Sequence, residues 1–282
     1  MDVDPLSESV PPRYAIESDE EEDEINPLFG ESASAPTKYD INIVGDLPKS
    51  QTLVVASGDA GKFWAKGAEL GEQTGAVFVN KVQVGLVFNP TWTSSTVIIS
   101  EVLSKLPLSA MHPYASAILE SLTPNSLAVL DTYPTPTYAT DVLIPYHDAP
   151  IRYLTSETLS FPKSQAEPFA PPNLISSTSA SFLTTTSSST SFSRTLILLP
   201  SPHIPHAPPK VLSPSNFSQL EQDAVEWPAA LINAAQDLVF HSLAAEGEEA
   251  NTSKHTWAVP PSAQREKAPK WSTQIGEGGM YI

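Results

Sequence analysis

The sequence of 282 residues contains no cysteine. This absence excludes disulfides, thiolate zinc sites and cysteine nucleophiles, and it is compatible with a reducing compartment such as the cytosol or nucleus. Glycine is scarce, with 12 residues, whereas proline is abundant, with 28. Because proline fixes φ and has no backbone N–H, proline-dense segments cannot lie inside a helix or in the middle of a sheet. Part of the chain is therefore predicted to be irregular.

Positive charge and long apolar runs are lacking as well. Fifteen Lys and Arg stand against 32 Asp and Glu, which gives a formal charge of −17. No apolar run approaches the ~18 residues of a membrane span, and the acidic N-terminus has no apolar core typical of a signal peptide. A chain this acidic is repelled by phosphate backbones and anionic membranes. We therefore expect neither nucleic acid nor membrane as a partner, and a cytoplasmic location, with the nucleus open as a second compartment.

Three segments differ in composition. Residues 1–36 include the acidic block Glu17–Glu24, which has no apolar face to bury, and they are predicted to be a disordered N-terminal segment. Residues 37–258 carry the pattern of an α/β domain. Residues 259–282 are predicted to be a flexible tail, because they are mostly polar and contain Gly276, Gly278 and Gly279 near their end. Trp257 and Trp271 stand as isolated aromatics in the polar region after residue 246.

Strands alternate with helices in the central domain, and this pattern predicts an α/β layer with a mixed sheet. The predicted strands are 52–57, 76–80, 82–89, 97–100, 126–131, 151–155 and 195–199. The predicted helices are 59–70, 109–122 and 216–245, the last interrupted at Pro228. Residues 200–214 contain six prolines and are predicted to form a loop. The Ser/Thr-rich stretch within 156–194 is open between a linker and a weak helix that begins at Pro171-Pro172.

Motifs for catalysis and for metal binding fail on spacing or on neighbours. Gly58 and Gly61 precede Lys62, but a P-loop needs four residues between its glycines and a Ser or Thr after its lysine. A tight turn from strand to helix explains these glycines better. His203 and His206 lie among prolines, with no carboxylate nearby to complete a metal site. No Gly-x-Ser-x-Gly elbow is present. We predict no catalytic residue, no metal site and no cofactor.

The last three residues are Met280, Tyr281 and Ile282. They are apolar or aromatic, and they follow a glycine-rich stretch where polar residues would be expected. This placement indicates a docking peptide. The ending resembles the hydrophobic-Tyr-X tail of proteasome-binding proteins, whose tails enter pockets between adjacent α-subunits of the 20S proteasome. The resemblance implies that Met280 fills an apolar mouth, that Tyr281 lies on the pocket wall, and that the Ile282 carboxylate meets a lysine.

The order of segments is similar to that of fungal-type proteasome assembly chaperones, and in particular to the Tyr-tailed subunit of the heterodimeric α-ring chaperone. The matching features are the acidic N-terminal segment, strand 52–57 before a helix, the series 97–131, and strand 195–199 before a Pro-rich loop, a long helix and the tail. Pro171-Pro172 with Leu174 also fits the start of a helix in this family. The Ser/Thr-rich residues 176–193 depart from the family, which has a more apolar helix there. Proteasomal ATPases share the tail but need a Walker motif, which this sequence lacks.

This resemblance implies a three-layer, phosphorylase-like α/β fold without an active site or cofactor. It also implies a second assembly chaperone as heterodimer partner and 20S α-subunits as the target. The pair would favour correct ring assembly and block activators until the core particle matures. Two alternatives stay open at this point: an adaptor or scaffold that uses the acidic tail and Pro-rich segments for unrelated partners, and a phosphorylase-like metabolic enzyme.

Overall fold

The structure is a computed structural model and describes residues 38–45, 52–141, 144–156, 161–185, 192–214, 225–243 and 255–259. The elements belong to one unit that begins at Tyr39. The strands are β1 (Ile41–Gly45), β2 (Thr52–Ser57), β3 (Gln73–Val79), β4 (Val82–Phe88), β5 (Thr96–Ser100), β6 (Ser126–Pro134), β7 (Arg152–Thr155), β8 (Glu167–Pro168) and β9 (Ser193–Ser201). The helices are α1 (Gly58–Ala65), α2 (Leu108–Leu122), α3 (Thr178–Thr184) and α4 (Ala229–Leu243).

These strands form one mixed sheet in the order β1-β3-β4-β5-β2-β6-β9-β7-β8. The four central strands, β5, β2, β6 and β9, are parallel. Antiparallel strands β4, β3 and β1 extend the sheet on one side, and β7 pairs antiparallel with β9 on the other. The prediction of an α/β fold with a mixed sheet is therefore confirmed.

Helices cover both faces of the sheet, which makes the fold three-layered. Val54 and Ala56 of β2 face a core shared with α1 and α4, whereas Leu53 and Val55 face a core shared with α2 and α3. Because both faces of the central strands are buried, these strands have continuous apolar runs without alternation. This explains why strands 52–57 and 195–199 can be predicted from the sequence. Within the described ranges, no helix is long and apolar enough to cross a bilayer.

The glycines of the rejected P-loop serve the β2–α1 turn. Gly58 has a φ of +54°, a conformation that side chains rarely adopt. A Cβ at Gly61 would lie 2.4 Å from the carbonyl oxygen of Ala56, so only glycine lets the helix pack this closely against the strand. The turn explains both residues without a phosphate ligand.

Helix α1 is shorter than predicted, because it ends at Ala65 instead of Leu70. A tertiary contact explains the difference. A Cβ at Gly67 would lie 2.7 Å from the Trp257 ring and 2.8 Å from Ala258, so the chain turns here to admit a distant segment. Strands β1 and β8 were not predicted. β1 is a half-exposed edge strand and β8 has only two residues, so neither has the apolar run of a central strand.

The Ser/Thr-rich region contains a helix, which decides between the two open interpretations for residues 178–184. This helix, α3, begins at Thr178 and not at Pro171-Pro172. Its buried Phe182 contacts Tyr114 edge to face, with ring centroids 6.2 Å apart. One buried aromatic side chain therefore holds this short helix against the core. Residues 186–191 lie outside the described part of the chain.

The predicted break at Pro228 is where α4 starts. The Pro228 carbonyl accepts hydrogen bonds from the backbone N–H groups of Leu231 and Ile232, at 2.9 and 3.2 Å. Proline is tolerated at a helix start, because the first N–H groups have no intrahelical partner. Residues 225–227, which also belong to the predicted helix, are not helical, so the prediction is wrong there. Residues 216–224 and 244–245 lie outside the described residues.

Candidate functional site

The predicted docking residues Met280, Tyr281 and Ile282 lie outside the described residues, and so do residues 1–36. The three-segment division of the chain and the docking role of the tail therefore stay predictions. What the structure does describe is the segment His255–Val259, which we call the anchor segment. It includes Val259, the first residue of the predicted tail, which packs against the core.

The anchor segment packs against α1 and α4 through Trp257, which is 4% exposed. The indole stacks on Phe63 with ring centroids 5.2 Å apart and an interplanar angle of 25°. Its Nε1–H donates to the carbonyl oxygen of Trp64 at 2.8 Å. Its backbone N–H donates to Oδ1 of Asn233 on α4, also at 2.8 Å. Trp257 is thus held by its ring, its indole nitrogen and its backbone.

His255 attaches the beginning of the anchor segment. Its ring stacks on Trp92 with centroids 4.6 Å apart, and its Nε2 lies 3.3 Å from the carboxylate of Glu69, an exposed side chain. Its carbonyl oxygen accepts a hydrogen bond from Nε2 of Gln236 at 2.6 Å. The same Gln236 amide accepts from the indole of Trp64 at 3.0 Å, so one buried amide joins the anchor segment to both helices.

A second polar site lies where the central parallel strands end, which is the usual ligand-binding edge of α/β sheets. Asp131 of β6 is buried there. Its Oδ2 accepts hydrogen bonds from the hydroxyls of Ser177 and Ser179 at 2.7 and 2.6 Å, and its Oδ1 accepts from the backbone N–H of Thr132 at 2.8 Å. The N-terminal turn of α3 therefore covers this carboxylate.

Glu101 follows β5 at the same edge. Its φ of +57° is uncommon outside glycine, and its carboxylate turns inward to accept hydrogen bonds from the Leu106 N–H at 2.9 Å and the Ser57 hydroxyl at 3.4 Å. Burial raises the pKa of the Glu101 carboxyl, and the charge of Asp131 adds to the rise. The nearby Thr178 hydroxyl lowers this pKa, although it makes no hydrogen bond of standard geometry. Burial likewise raises the pKa of Asp131, against the hydrogen bonds from its two serines.

Each of the two carboxylates is already held by hydrogen bonds within the chain. The donors are hydroxyls and backbone N–H groups. Among the residues that the structure describes, no three His, Asp or Glu side chains group closely enough to bind a metal. His203 and His206 are exposed on their loop, as expected.

Glu101→Gln is expected to flatten the pH dependence of stability. Because the folded-state pKa is raised above the ordinary value of 4.5, the stabilising contribution of the protonated acid is complete below that value. It is lost as the pH rises through the folded-state pKa. Glutamine stays neutral, so the free energy of unfolding of the variant should gain on that of the wild type across this window. Urea denaturation from about pH 4 to about pH 8 measures the difference.

Glu120→Gln, on the exposed face of α2, is the matched control and should follow the wild type at every pH. If the difference in free energy of unfolding between Glu101→Gln and the wild type stays constant with pH, the fold does not raise the pKa of the Glu101 carboxyl.

An open cleft of about 240 Å³ lies next to the ends of β6 and β9. Its walls include Tyr133, Tyr138, Tyr146 and the buried Arg152. The guanidinium carbon of Arg152 lies 4.0 Å from the ring centroid of Tyr138, and Nη2 lies 3.2 Å from the carboxylate of Glu167. Burial raises the pKa of Tyr133 to about 12, against the opposing effect of Arg152. The arginine is thus already stacked and paired, and much of the cleft wall is aromatic and proline surface.

Sequence reasoning missed both polar sites. Asp131 lies in a predicted strand and Glu101 follows one, and neither stands out in the sequence because the serines that bind them are distant in the chain. Trp257 is an isolated aromatic there. Its signal was a large ring in an otherwise polar segment, since such a ring is costly to leave in water.

No family model and no curated protein matches this chain. Solved structures that it resembles include PbaA from Pyrococcus furiosus, an archaeal homologue of proteasome-assembly chaperone, at 10% identity and a TM-score of 0.39 over 58% of this chain and 77% of that one. PbaB from the same organism, an archaeal proteasome activator, has 8% identity and a TM-score of 0.40 over 58% and 81%. A Thermoplasma acidophilum protein of unknown function has 9% identity and a TM-score of 0.37 over 55% and 69%. At such identities and TM-scores, these likenesses carry no conclusion about function.

Proposed function

We propose that this protein is a non-enzymatic assembly chaperone of the 20S proteasome. It binds the outer face of the α-ring and inserts Met280, Tyr281 and Ile282 into a pocket between two α-subunits. The observation that carries the proposal is the hydrophobic-Tyr-X ending behind a glycine-rich stretch.

The chemistry of these residues suits such a pocket. A tyrosine contributes a large rigid surface at low entropic cost and keeps a hydroxyl for one hydrogen bond. A terminal carboxylate forms a charge-assisted contact with a cationic side chain, and only a chain end has one. The proposal therefore requires that Ile282 carry the free carboxylate, which the intact mass of the native protein checks.

The body supplies the second part of the interaction. Large apolar side chains are exposed on the connections around the carboxyl ends of the central strands: Leu108, Leu174, Ile204 and Val211 are 58–88% exposed. Exposed apolar residues that gather on one side of a protein are typical of protein-binding surfaces. A broad contact of the body with the ring raises the effective concentration of the tail at its pocket.

The proposal includes a second chaperone of similar fold as heterodimer partner. Two tails on a rigid dimer would engage two pockets at once, so the complex would hold more tightly than either tail alone. Occupied pockets are closed to activators that use the same kind of tail, which would keep activators away until the core particle matures. The carboxylates of Asp131 and Glu101 are already hydrogen-bonded within the chain, which favours this binding role over catalysis.

Tag placement tests the proposal. A tag added after Ile282 moves the carboxylate away from Tyr281, so capture of 20S core particles should be lost, whereas a tag before Met1 should be tolerated. Capture is measured by co-purification and identification of the bound subunits, which should include α-subunits and a second chaperone. Equal capture with both tags would refute the docking role and favour an adaptor that binds through its acidic or Pro-rich segments.

A further inference from the structure

The anchor segment is the last described part of the chain before the docking tail. We propose that Trp257 fixes this segment to α1 and α4, so that the 23 residues from 260 to 282 start at one defined point of the body. Trp257 is then a positioning residue for the tail, because it sets the point of the body from which the tail starts. The role of the tail rests on the proposed function; the anchoring itself does not.

The groove for the anchor segment is built by three independent features. Gly67 leaves space for the backbone, since a Cβ there would lie within 2.8 Å of both Trp257 and Ala258. The Gly67 carbonyl accepts the Ala258 N–H at 3.2 Å. Phe63 provides the stacking surface for the indole. A segment that merely lay on the surface would need none of these.

Helix α4 contributes two amide side chains that are occupied by the anchor backbone. Asn233 accepts from the Trp257 N–H at 2.8 Å and donates to the Trp257 carbonyl at 3.3 Å. Gln236, three residues further along and 3% exposed, donates to the His255 carbonyl at 2.6 Å. Residues three apart lie on the same helix face, so the two amides together form hydrogen bonds with the backbone of the anchor segment.

Chain length gives the anchor its consequence. With the anchor in place, 23 residues follow Val259; without it, up to 39 residues (244–282) follow Leu243, the last described residue of α4. The root-mean-square reach of a flexible chain grows from about 26 Å for 23 residues to about 34 Å for 39. Its effective concentration at a nearby pocket falls by about twofold, with the −3/2 power of length. Anchoring therefore shortens the tail and raises its effective concentration at the pocket.

Energy transfer between two dyes tests the anchor without any proteasome. The chain has no cysteine, so Glu72→Cys on the body and Ser272→Cys in the tail give two unique labelling sites. A Gly-Ser insert of about 20 residues is placed either after Val259 or after Glu249. The insert after Val259 lengthens the labelled tail from about 20 Å to about 32 Å root-mean-square, so energy transfer should fall. The same insert after Glu249 lies upstream of the anchor and should leave energy transfer unchanged.

Trp257→Ala should erase this asymmetry, so that both inserts lower energy transfer equally. Trp257→Phe keeps the stacking on Phe63 and should restore the asymmetry. If Trp257 only stabilised the fold, its substitution would not change which of the two inserts lowers energy transfer. Asn233→Ala is the second variant, because it removes both bonds to the Trp257 backbone without touching the core ring. Far-UV circular dichroism confirms that each variant is folded.

Hydrogen exchange of the Trp257 and Ala258 N–H groups reports whether the anchor is closed. The upstream insert lengthens the chain between Leu243 and His255, which weakens closure of the anchor by about fivefold through loop-closure entropy. Protection should persist, since both N–H groups are bonded. Equal loss of energy transfer with either insert in the wild type, or loss of protection on this modest weakening, would overturn the proposal.

Capture of 20S core particles separates this inference from the proposed function. The insert after Val259 should weaken capture by about 2.5-fold and the insert after Glu249 should not. If neither insert variant captures 20S particles while energy transfer still differs between the two inserts, the proposed function fails and the anchor stands.

Discussion

Tyr281→Ala is expected to lower the affinity for 20S core particles at least tenfold. The substitution removes the aromatic surface, worth about 1.5–3 kcal/mol when fully buried, together with a hydroxyl hydrogen bond of about 1 kcal/mol. A tenfold change in affinity corresponds to about 1.4 kcal/mol, so even partial burial of the ring suffices. Surface-plasmon resonance or quantitative co-purification with purified core particles measures the change.

Trp271→Ala is the matched control, because it removes a larger aromatic side chain from the same C-terminal segment outside the final three residues. It should leave binding unchanged, and both variants should retain the wild-type Tm. If Tyr281→Ala binds like the wild type, or if Trp271→Ala causes the same loss, the hydrophobic-Tyr-X interpretation is wrong and a general stickiness of the segment takes its place.

Trp64→Ala is expected to lower the free energy of unfolding by about 3–5 kcal/mol, as typical for a buried tryptophan. Trp64 of α1 is 1% exposed and lies in the core that joins α1, α4 and the central strands. Its Nε1–H donates to Gln236, so the truncation also leaves a buried amide oxygen without this partner. Denaturant titration at constant pH measures the change, which is a large fraction of the stability of an ordinary domain.

Leu174→Ala provides the comparison for this stability change. Leu174 is 88% exposed, so its truncation should change the free energy of unfolding by less than about 0.5 kcal/mol. A loss below about 1 kcal/mol for Trp64→Ala would mean that α1 does not pack on α4 as described.

The central strands were predictable because the physics that places them is local. Burial on both faces demands continuous apolar, β-branched runs, and Leu53, Val54 and Val55 carry that pattern in the sequence itself. Helix α2 was legible for the same reason, since its core positions repeat at helical spacing. Edge strand β1 has no such demand, because one side of it is exposed.

The missed features depend on contacts between distant residues. The end of α1 is fixed by Trp257, which is 193 residues from its hydrogen-bond partner Trp64. Asp131 is matched by Ser179, 48 residues away, in a stretch whose composition suggests a linker. Local propensity cannot register either pairing. The docking motif is the opposite case, because its chemistry is carried by three adjacent residues, and it stays a prediction.

The position of Tyr281 in a complex with the 20S core particle is the most direct measurement. Cryo-electron microscopy of the proposed complex should show the ring of Tyr281 and the Ile282 carboxylate in a pocket between two α-subunits, with the carboxylate beside a lysine. Empty pockets, with the body attached elsewhere or no attachment at all, would contradict the proposal that this protein acts through its final three residues.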